Sequence, residues 1–424
     1  MIYLLLLLPL VLLTLGLPIF LILLASTLIA LLAMTDLPPT VIQTVMFGSL
    51  GSFPLLAIPF FILAGEIMAQ GGIARRVVAW VIALFGGVRG SLAVTTVAAS
   101  ELFGAMSHTA VGTVVAIGRM LYPSLKDAGY NDRFALGLIA SSGAIAVVIP
   151  PSISMILYGM SAQVSAVALF TAGILPSLLI GVIDALYVMA HAGIKRVPLT
   201  APARWANIWA ATMDASWALS TVVVIFGGIF GGVFTPTEAA GVAVVYSLFV
   251  TMVVYRELQP ADVWRIVMSS VFLIAQILVI VMAAGVYSWL LTTSGIPQSV
   301  VAWIEALHLP AWGALLAINL GLLIAGSFLE PPAAILILTP LLLPVVVALG
   351  VHPIHFGIIM AVNLSIGMYT PPFGLNLFAT QATFHAPLAH IYRGVVPFVI
   401  VNFLVLLVIT YVPEISMILL KSGR

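Results

Sequence analysis

Apolar segments of near-membrane length follow one another along this chain with few charges between them. Lipid, not water, must therefore be the solvent for much of its surface. The segments lie at 3–33, 53–70, 77–100, 134–149, 166–191, 208–230, 238–255, 266–291, 311–328, 354–369 and 395–412. A helical span takes roughly 20 residues, and several pieces fall short or are interrupted by Gly, Pro and Ser. Of the 424 residues, 63% are hydrophobic and 6% charged, where an ordinary soluble domain carries about 25% charged residues. The 35 glycines and 26 prolines are many for plain helices. Broken helices inside a membrane are tolerated only where protein or a cavity covers the freed backbone, which points to a transporter. A net charge of +1 is too small to imply a nucleic-acid partner, and the absence of cysteine excludes disulfide and thiol chemistry. Met1 to Thr35 holds no charged residue. It lacks the basic start of a signal peptide and is expected to remain as a membrane helix bent at Gly16-Leu17-Pro18.

The basic residues set an orientation. Arg75 and Arg76, then Lys195, Arg196 and Arg204, then Arg256 and Arg265 mark three loops that the positive-inside rule places in the cytoplasm. The stretches 231–236 and 292–300 carry no Lys or Arg and are expected outside.

The chain also contains itself twice. Gly72-Ile73 followed by Val77-Val78-Ala79-Trp80 matches Gly295-Ile296 followed by Val300-Val301-Ala302-Trp303, an offset of 295 − 72 = 223. Pro123, Pro150-Pro151, Gly173 and Pro176 match Pro344, Pro371-Pro372, Gly394 and Pro397, an offset of 371 − 150 = 221. The first copy starts at a basic loop and the second at an uncharged one, so the repeat is expected to be inverted. Inverted repeats with a binding site near the midplane are a mark of secondary transporters.

Each copy carries two polar interruptions. One is a re-entrant hairpin tip, at 103–109 in the first copy and 324–332 in the second. The other is a broken helix, with Ser141-Ser142-Gly143 and Ile149-Pro150-Pro151-Ser152 in the first copy. The second copy has Asn363 and Tyr369-Thr370-Pro371-Pro372-Phe373-Gly374-Leu375-Asn376. Proline removes a donor and disrupts the preceding turn, leaving carbonyls unpaired. Such carbonyls, with Ser, Thr and Asn oxygens, suit a hard cation such as sodium. The N-termini of the half-helices that follow suit an anion. One sodium site is expected at Ser107, Thr109, Ser142 and Gly143, and a second at Gly326, Ser327, Asn363, Thr370 and Gly374. The anion is expected between them, at Ser152, Asn376 and the pairs Pro150-Pro151 and Pro371-Pro372. The plainer reading of each Pro-Pro is a kink or loop edge.

Other ionisable residues read differently. Thr235-Pro236-Thr237-Glu238 is a capping box at a helix start. Glu101 and Glu330 lie at or near the tips and are candidate functional acids. Asp184 is expected to reach the cytoplasmic edge, and Glu66 to serve packing or a subunit contact. His108 could titrate or be a plain polar tip residue. No nucleophile elbow, zinc motif or phosphate-binding loop occurs, so an enzyme is not expected.

Several stretches resemble the large membrane (M) subunit of tripartite ATP-independent periplasmic (TRAP) transporters over nearly the whole chain. They are residues 53–66, Phe103-Gly104-Ala105-Met106-Ser107, Ile149-Pro150-Pro151-Ser152, Ala172-Gly173-Ile174-Leu175-Pro176, 232–240 and 370–378. The resemblance implies an all-α integral membrane protein made of two inverted repeats, each with a hairpin and a broken helix, divided into a scaffold and an elevator-type transport domain. It implies a small four-helix membrane (Q) subunit and a soluble periplasmic binding (P) protein as partners. The cargo is then an organic anion, commonly a carboxylate, with sodium as coupling ion and no other cofactor, in a bacterial inner membrane. At the tips this chain departs from the family: Ser107-His108-Thr109 stands for Ser-Gly-Ser, and Glu330-Pro331 for Asp-Thr. The expected units are 1–64 (scaffold), 65–195 (first repeat), 196–284 (scaffold) and 285–424 (second repeat). A stand-alone ion-coupled symporter of related fold is the nearest alternative; an intramembrane enzyme or a purely structural subunit fits less well.

Overall fold

The computed structural model describes residues 2–198, 202–306 and 308–422, and among them there is no strand. The chain opens with α1 (Ile2–Thr14), α2 (Ile19–Met34), α3 (Thr40–Ser49) and α4 (Ala57–Gln70). Then come α5 (Ile73–Phe85), α6 (Ser91–Ser107), α7 (Ala110–Asp127), α8 (Asp132–Ala144), α9 (Ile153–Ala162) and α10 (Ala166–Ile194). Three long elements follow: α11 (Trp205–Phe230), α12 (Pro236–Leu248), which continues as a π turn over 249–254, and α13 (Pro260–Thr293). The last set is α14 (Ile296–Ala306), α15 (Ala311–Phe328), α16 (Pro331–Ala348), α17 (Pro353–Gly367), α18 (Leu375–Phe384), α19 (Leu388–Tyr411) and α20 (Glu414–Ser422). Eight helical segments among the described residues are long and apolar enough to cross a bilayer.

Glycine corrects the expected segments in two places. The run 3–33 is two helices, because Gly16 turns through a left-handed φ of 72° just before Pro18. The run 77–100 is not one span either. Gly87 and Gly90, at φ 78° and 77°, separate the amphipathic α5 from the buried α6, a conformation that only glycine adopts freely.

The helices α5–α10 and α14–α19 form the same succession. Left-handed glycines recur at Gly72 and Gly295 and at Gly129 and Gly350, and both Pro150-Pro151 and Pro371-Pro372 are cis. Packing is reciprocal: α8 lies on α19 and α17 on α10, while α7 lies on α18 and α16 on α9. Of the expected unit boundaries, 64–65 falls inside α4 and 284–285 inside α13, whereas 195–196 follows the end of α10.

The basic loops gather together. Arg75 and Arg76 donate to Glu257 at 2.7 and 2.5 Å, and Arg76 sits 3.4 Å from Asp214 with its guanidinium over the Tyr255 ring. At the other end of α5 the Ala203 N–H bonds the Gly86 carbonyl. The loops near 75 and 257 thus meet at the start of α5, and the loop near 203 meets its other end. The Thr235–Glu238 capping box forms with both of its bonds, and a second box, Gln259 with Asp262, opens α13. Asp184 does not reach an edge: it is fully buried in mid-α10, where Asn402 of α19 donates to both of its oxygens.

Candidate functional site

Each broken helix must find partners for the carbonyls its prolines release. In the first copy α8 ends at Ala144 and passes through one 3-10 turn to Pro150-Pro151 before α9 begins. The Ser152 hydroxyl donates to the Val147 carbonyl at 2.5 Å. Two further carbonyls are satisfied from the other copy: Ser365 Oγ donates to Ala144 O at 2.7 Å, and Asn376 Nδ2 to Ala140 O at 2.9 Å. In the second copy Thr370 Oγ1 donates to Ile366 O, and the Asn376 N–H to Met368 O. The Tyr392 hydroxyl donates to Pro372 O at 2.7 Å. Many of the freed carbonyls are thus occupied by the protein itself.

The hairpin tips close on the breaks. The first turns through His108 and Thr109 between α6 and α7, with His108 left-handed at φ 55°. His108 Nδ1 lies 2.8 Å from Pro151 O; because a carbonyl only accepts, Nδ1 carries the hydrogen. The ring meets Phe61 of α4 edge-on, 4.3 Å between centroids. The approach of hairpin to break is backbone-close in both copies. A Cβ on Gly104 would stand 2.8 Å from the Ala146 Cβ, and one on Gly367 2.5 Å from the Gly326 carbonyl carbon.

The residues expected at the first sodium site are drawn into one region. Ser107 Oγ is 3.0 Å from Thr113 Oγ1, which donates to the Thr109 carbonyl at 2.8 Å. A Cβ on Gly143 would be 3.2 Å from the Ala110 carbonyl, so this break lies directly on the start of α7. Ser142 Oγ is buried with no hydrogen-bond partner. At the second expected site Gly326 packs on Leu364 and Gly367, and Ser327 Oγ donates to Ile324 O at 2.7 Å. A Cβ on Gly374 would lie 2.5 Å from Met368 O. Asn363 Nδ2 donates to Asn319 O and Oδ1 at 3.0 and 2.9 Å, while its own Oδ1 is buried and unpartnered. Ser142 and Asn363 are equivalent in the repeat, since 363 − 142 = 221. Each copy therefore leaves one buried side-chain oxygen unspent at the same place. A buried polar atom without a partner costs about 1–3 kcal/mol, so an oxygen duplicated in this state is a ready ligand for a hard cation.

Between the two tips lies a cavity of about 860 Å³. His108, Thr109 and Ala110 of one tip line it, with Glu330, Pro331 and Pro332 of the other. Val147, Ile153 and Ser154 beside the first break, and Met368 and Leu375 beside the second, form further parts of the wall. Ser152 and Asn376, expected to face the anion, are instead fully buried and bonded to carbonyls. Their neighbours Ser154 and Leu375 take the lining positions, because the breaks use the polar side chains for themselves. Glu66 also lines the cavity, together with Gln70, Arg75 and Arg119. Arg75 is committed to Glu257, but no ion pair among the described residues involves Arg119. Arg119 was legible only as a lone arginine in the apolar stretch after the first tip. Among the described residues no cluster of three His, Asp or Glu could hold a metal.

The family model described as "Tripartite ATP-independent periplasmic transporter, DctM component" matches residues 6–415. The C4-dicarboxylate TRAP transporter large permease protein DctM of Pseudomonas aeruginosa is 40% identical, covering 88% of this chain and 87% of its own length. The isethionate TRAP transporter permease protein DctMQ of Oleidesulfovibrio alaskensis is 38% identical over 95% of this chain and 64% of its own length. In three dimensions the YdaH transporter of Alcanivorax borkumensis superposes with a TM-score of 0.63 at 16% identity, covering 95% of this chain and 97% of that one. That last likeness concerns the fold alone.

Proposed function

Because this chain belongs to the DctM component family of the tripartite ATP-independent periplasmic transporters and is a large membrane permease subunit, we propose that it imports an organic anion, commonly a carboxylate, with sodium as the coupling ion. It is a transport protein and not an enzyme, and its family together with eight candidate spans among the described residues makes it a multi-pass protein of the bacterial inner membrane. In this reading a soluble periplasmic protein delivers the anion, and a small membrane subunit completes the permease. The two copies are inverted. The hairpins and broken helices, α6–α9 and α15–α18, move together against the remaining helices as an elevator.

The observation that carries the reading is the cavity lined by both tips, in a protein whose two breaks each bury an unpartnered oxygen at equivalent positions, Ser142 and Asn363. Its size lies within the 300–1,000 Å³ or so of small-molecule sites, and Arg119 supplies a free positive charge for a carboxylate. Sodium at Ser107, Thr109, Ser142 and Gly143 and at Gly326, Ser327, Asn363, Thr370 and Gly374 would fasten each tip to its break. The cavity wall would then be whole only when both ions are in place, which couples anion binding to sodium.

The energetics suffice. Two sodium ions entering with one monoanion carry one net charge. At 100 mV and a tenfold sodium gradient this supplies roughly 5 kcal/mol, enough for an anion gradient of several thousandfold. The test is uptake into proteoliposomes holding this chain and its small subunit, with the binding protein outside. Accumulation should require both the sodium gradient and the binding protein. Equal accumulation with choline in place of sodium would refute the coupling, and uptake without binding protein would indicate a stand-alone symporter.

A further inference from the structure

Two acids in the bundle interior play no part in the cavity. Glu101 sits on α6, two turns before the first tip, and its carboxylate lies on the backbone of α10, where a Cβ on Gly181 would stand 1.7 Å from Glu101 Oε1. Asp184 is one turn further along α10, fully buried. It lies within electrostatic reach of Glu101. From the other copy come Asn402 of α19, whose Nδ2 lies 3.0 and 3.3 Å from the two Asp184 oxygens, and Tyr369, which adjoins Asn402 at the second break. The other titratable groups facing Asp184 are Tyr187 and Tyr369. No ion pair among the described residues involves either acid.

Two oxygens in this cluster are buried and unpartnered: Glu101 Oε1, and Oδ1 of Asn402, a residue only 3% exposed. Asp184 is fully buried and Glu101 partly so, and two neighbouring carboxylates held largely out of water resist being ionised together without a cation. The Asn402 amide already donates to both Asp184 oxygens, which favours the ionised form there. Glu101 receives no such donor, and its Oε1 is buried without a partner. We propose that the Glu101–Asp184–Asn402 cluster is a proton-binding site, with the proton carried on Glu101, and that the proton is exchanged as the first hairpin moves during transport. Binding is simple addition: the carboxylate takes one proton from the aqueous phase to become the neutral acid, and release reverses it. Because α6 supplies Glu101 while α10 and α19 supply Asp184 and Asn402, displacing the hairpin parts Glu101 from Asp184 and from the α10 backbone.

The exchange rests on the transport reading above; the bound proton does not, so the two are tested separately. Infrared spectroscopy of the purified full chain at neutral pH should show a protonated-carboxyl band that is lost in Glu101→Gln. A spectrum with no band that this substitution removes overturns the proposal. So does a band that disappears when sodium replaces choline at constant pH, which would make the site a sodium site. In proteoliposomes with the complete complex, uptake under a fixed sodium gradient should rise when the outside is acidified, and in Glu101→Gln it should be the same at both outside pH values. Wild-type uptake indifferent to the pH gradient, despite the band, would make the proton a structural fixture and overturn the exchange. Failure of sodium-driven uptake in every arm would count against the transport reading while leaving the band to decide the proton.

Discussion

Replacing Asn363 by Ala separates two roles that one side chain performs. Its Nδ2 ties α17 to Asn319 on α15, whose own Nδ2 reaches Thr410 of α19 at 3.0 Å. Its Oδ1 is the unspent oxygen. Asn363→Ala deletes two neutral hydrogen bonds and leaves Asn319 Oδ1 buried without a donor, a cost of about 2–4 kcal/mol. If sodium binds Oδ1, the substitution also removes one bond to a charged species, worth about 1.5–3 kcal/mol. That raises the sodium concentration for half-saturation roughly tenfold to a hundredfold. Asn319→Ala is the control: it breaks the same network and lowers stability but leaves Oδ1 in place. The assay is thermal unfolding of the purified protein across a sodium series, with choline holding ionic strength, since a ligand that binds only the folded state raises its stability with concentration. The expected result is that both variants melt earlier and only Asn363→Ala needs more sodium. If the two shift their sodium dependence equally, or not at all, the reasoning from the unspent oxygen is wrong.

The remaining expectations are simpler. Arg119→Gln should raise the anion concentration for half-maximal uptake about five- to tenfold, the loss of roughly 1–1.5 kcal/mol from an accessible charge pair, with sodium dependence unchanged; equal anion affinity would remove Arg119 from the site. Gly137→Ala should destabilise by about 1–3 kcal/mol or more, because its Cβ would meet the Gly394 carbonyl at 2.2 Å; a melting curve superposing on wild type would show that α8 and α19 can part freely. Glu238→Ala removes half of a capping box and should lower stability slightly, read as a lower melting temperature with unchanged sodium response.

Much of this molecule was legible because membrane folds punish irregularity. Pro150-Pro151 and Pro371-Pro372 could be paired by eye, and the structure gives both the same cis conformation at the same step of the same helix succession. The Thr235 box was readable because its determinants lie within four residues. What depended on distance was not readable. Nothing local to Asn376 says that its amide is used by Ala140, or that Ser152 turns back to Val147; both looked available for an anion. Asp184 looked like an edge residue because hydropathy locates a helix and not its partners, and Asn402 is 218 residues away. The division of 77–100 depended on two glycines whose left-handed turns no hydropathy window registers. A single arginine in an apolar helix, such as Arg119, forms no pattern in sequence until the fold sets the opposite tip across the cavity from it.

The bonds that cross between the copies set a timetable for synthesis. The hydroxyl that satisfies Ala144 belongs to Ser365, 221 residues later. At about 5–20 residues per second a ribosome needs roughly 10–45 s to make that stretch. Throughout that interval the first broken helix is already in the membrane with Ala140 and Ala144 facing donors that do not yet exist. Half of this protein, released alone, would insert and still lack the groups that finish its own break. The first copy is therefore an incomplete object until the second arrives.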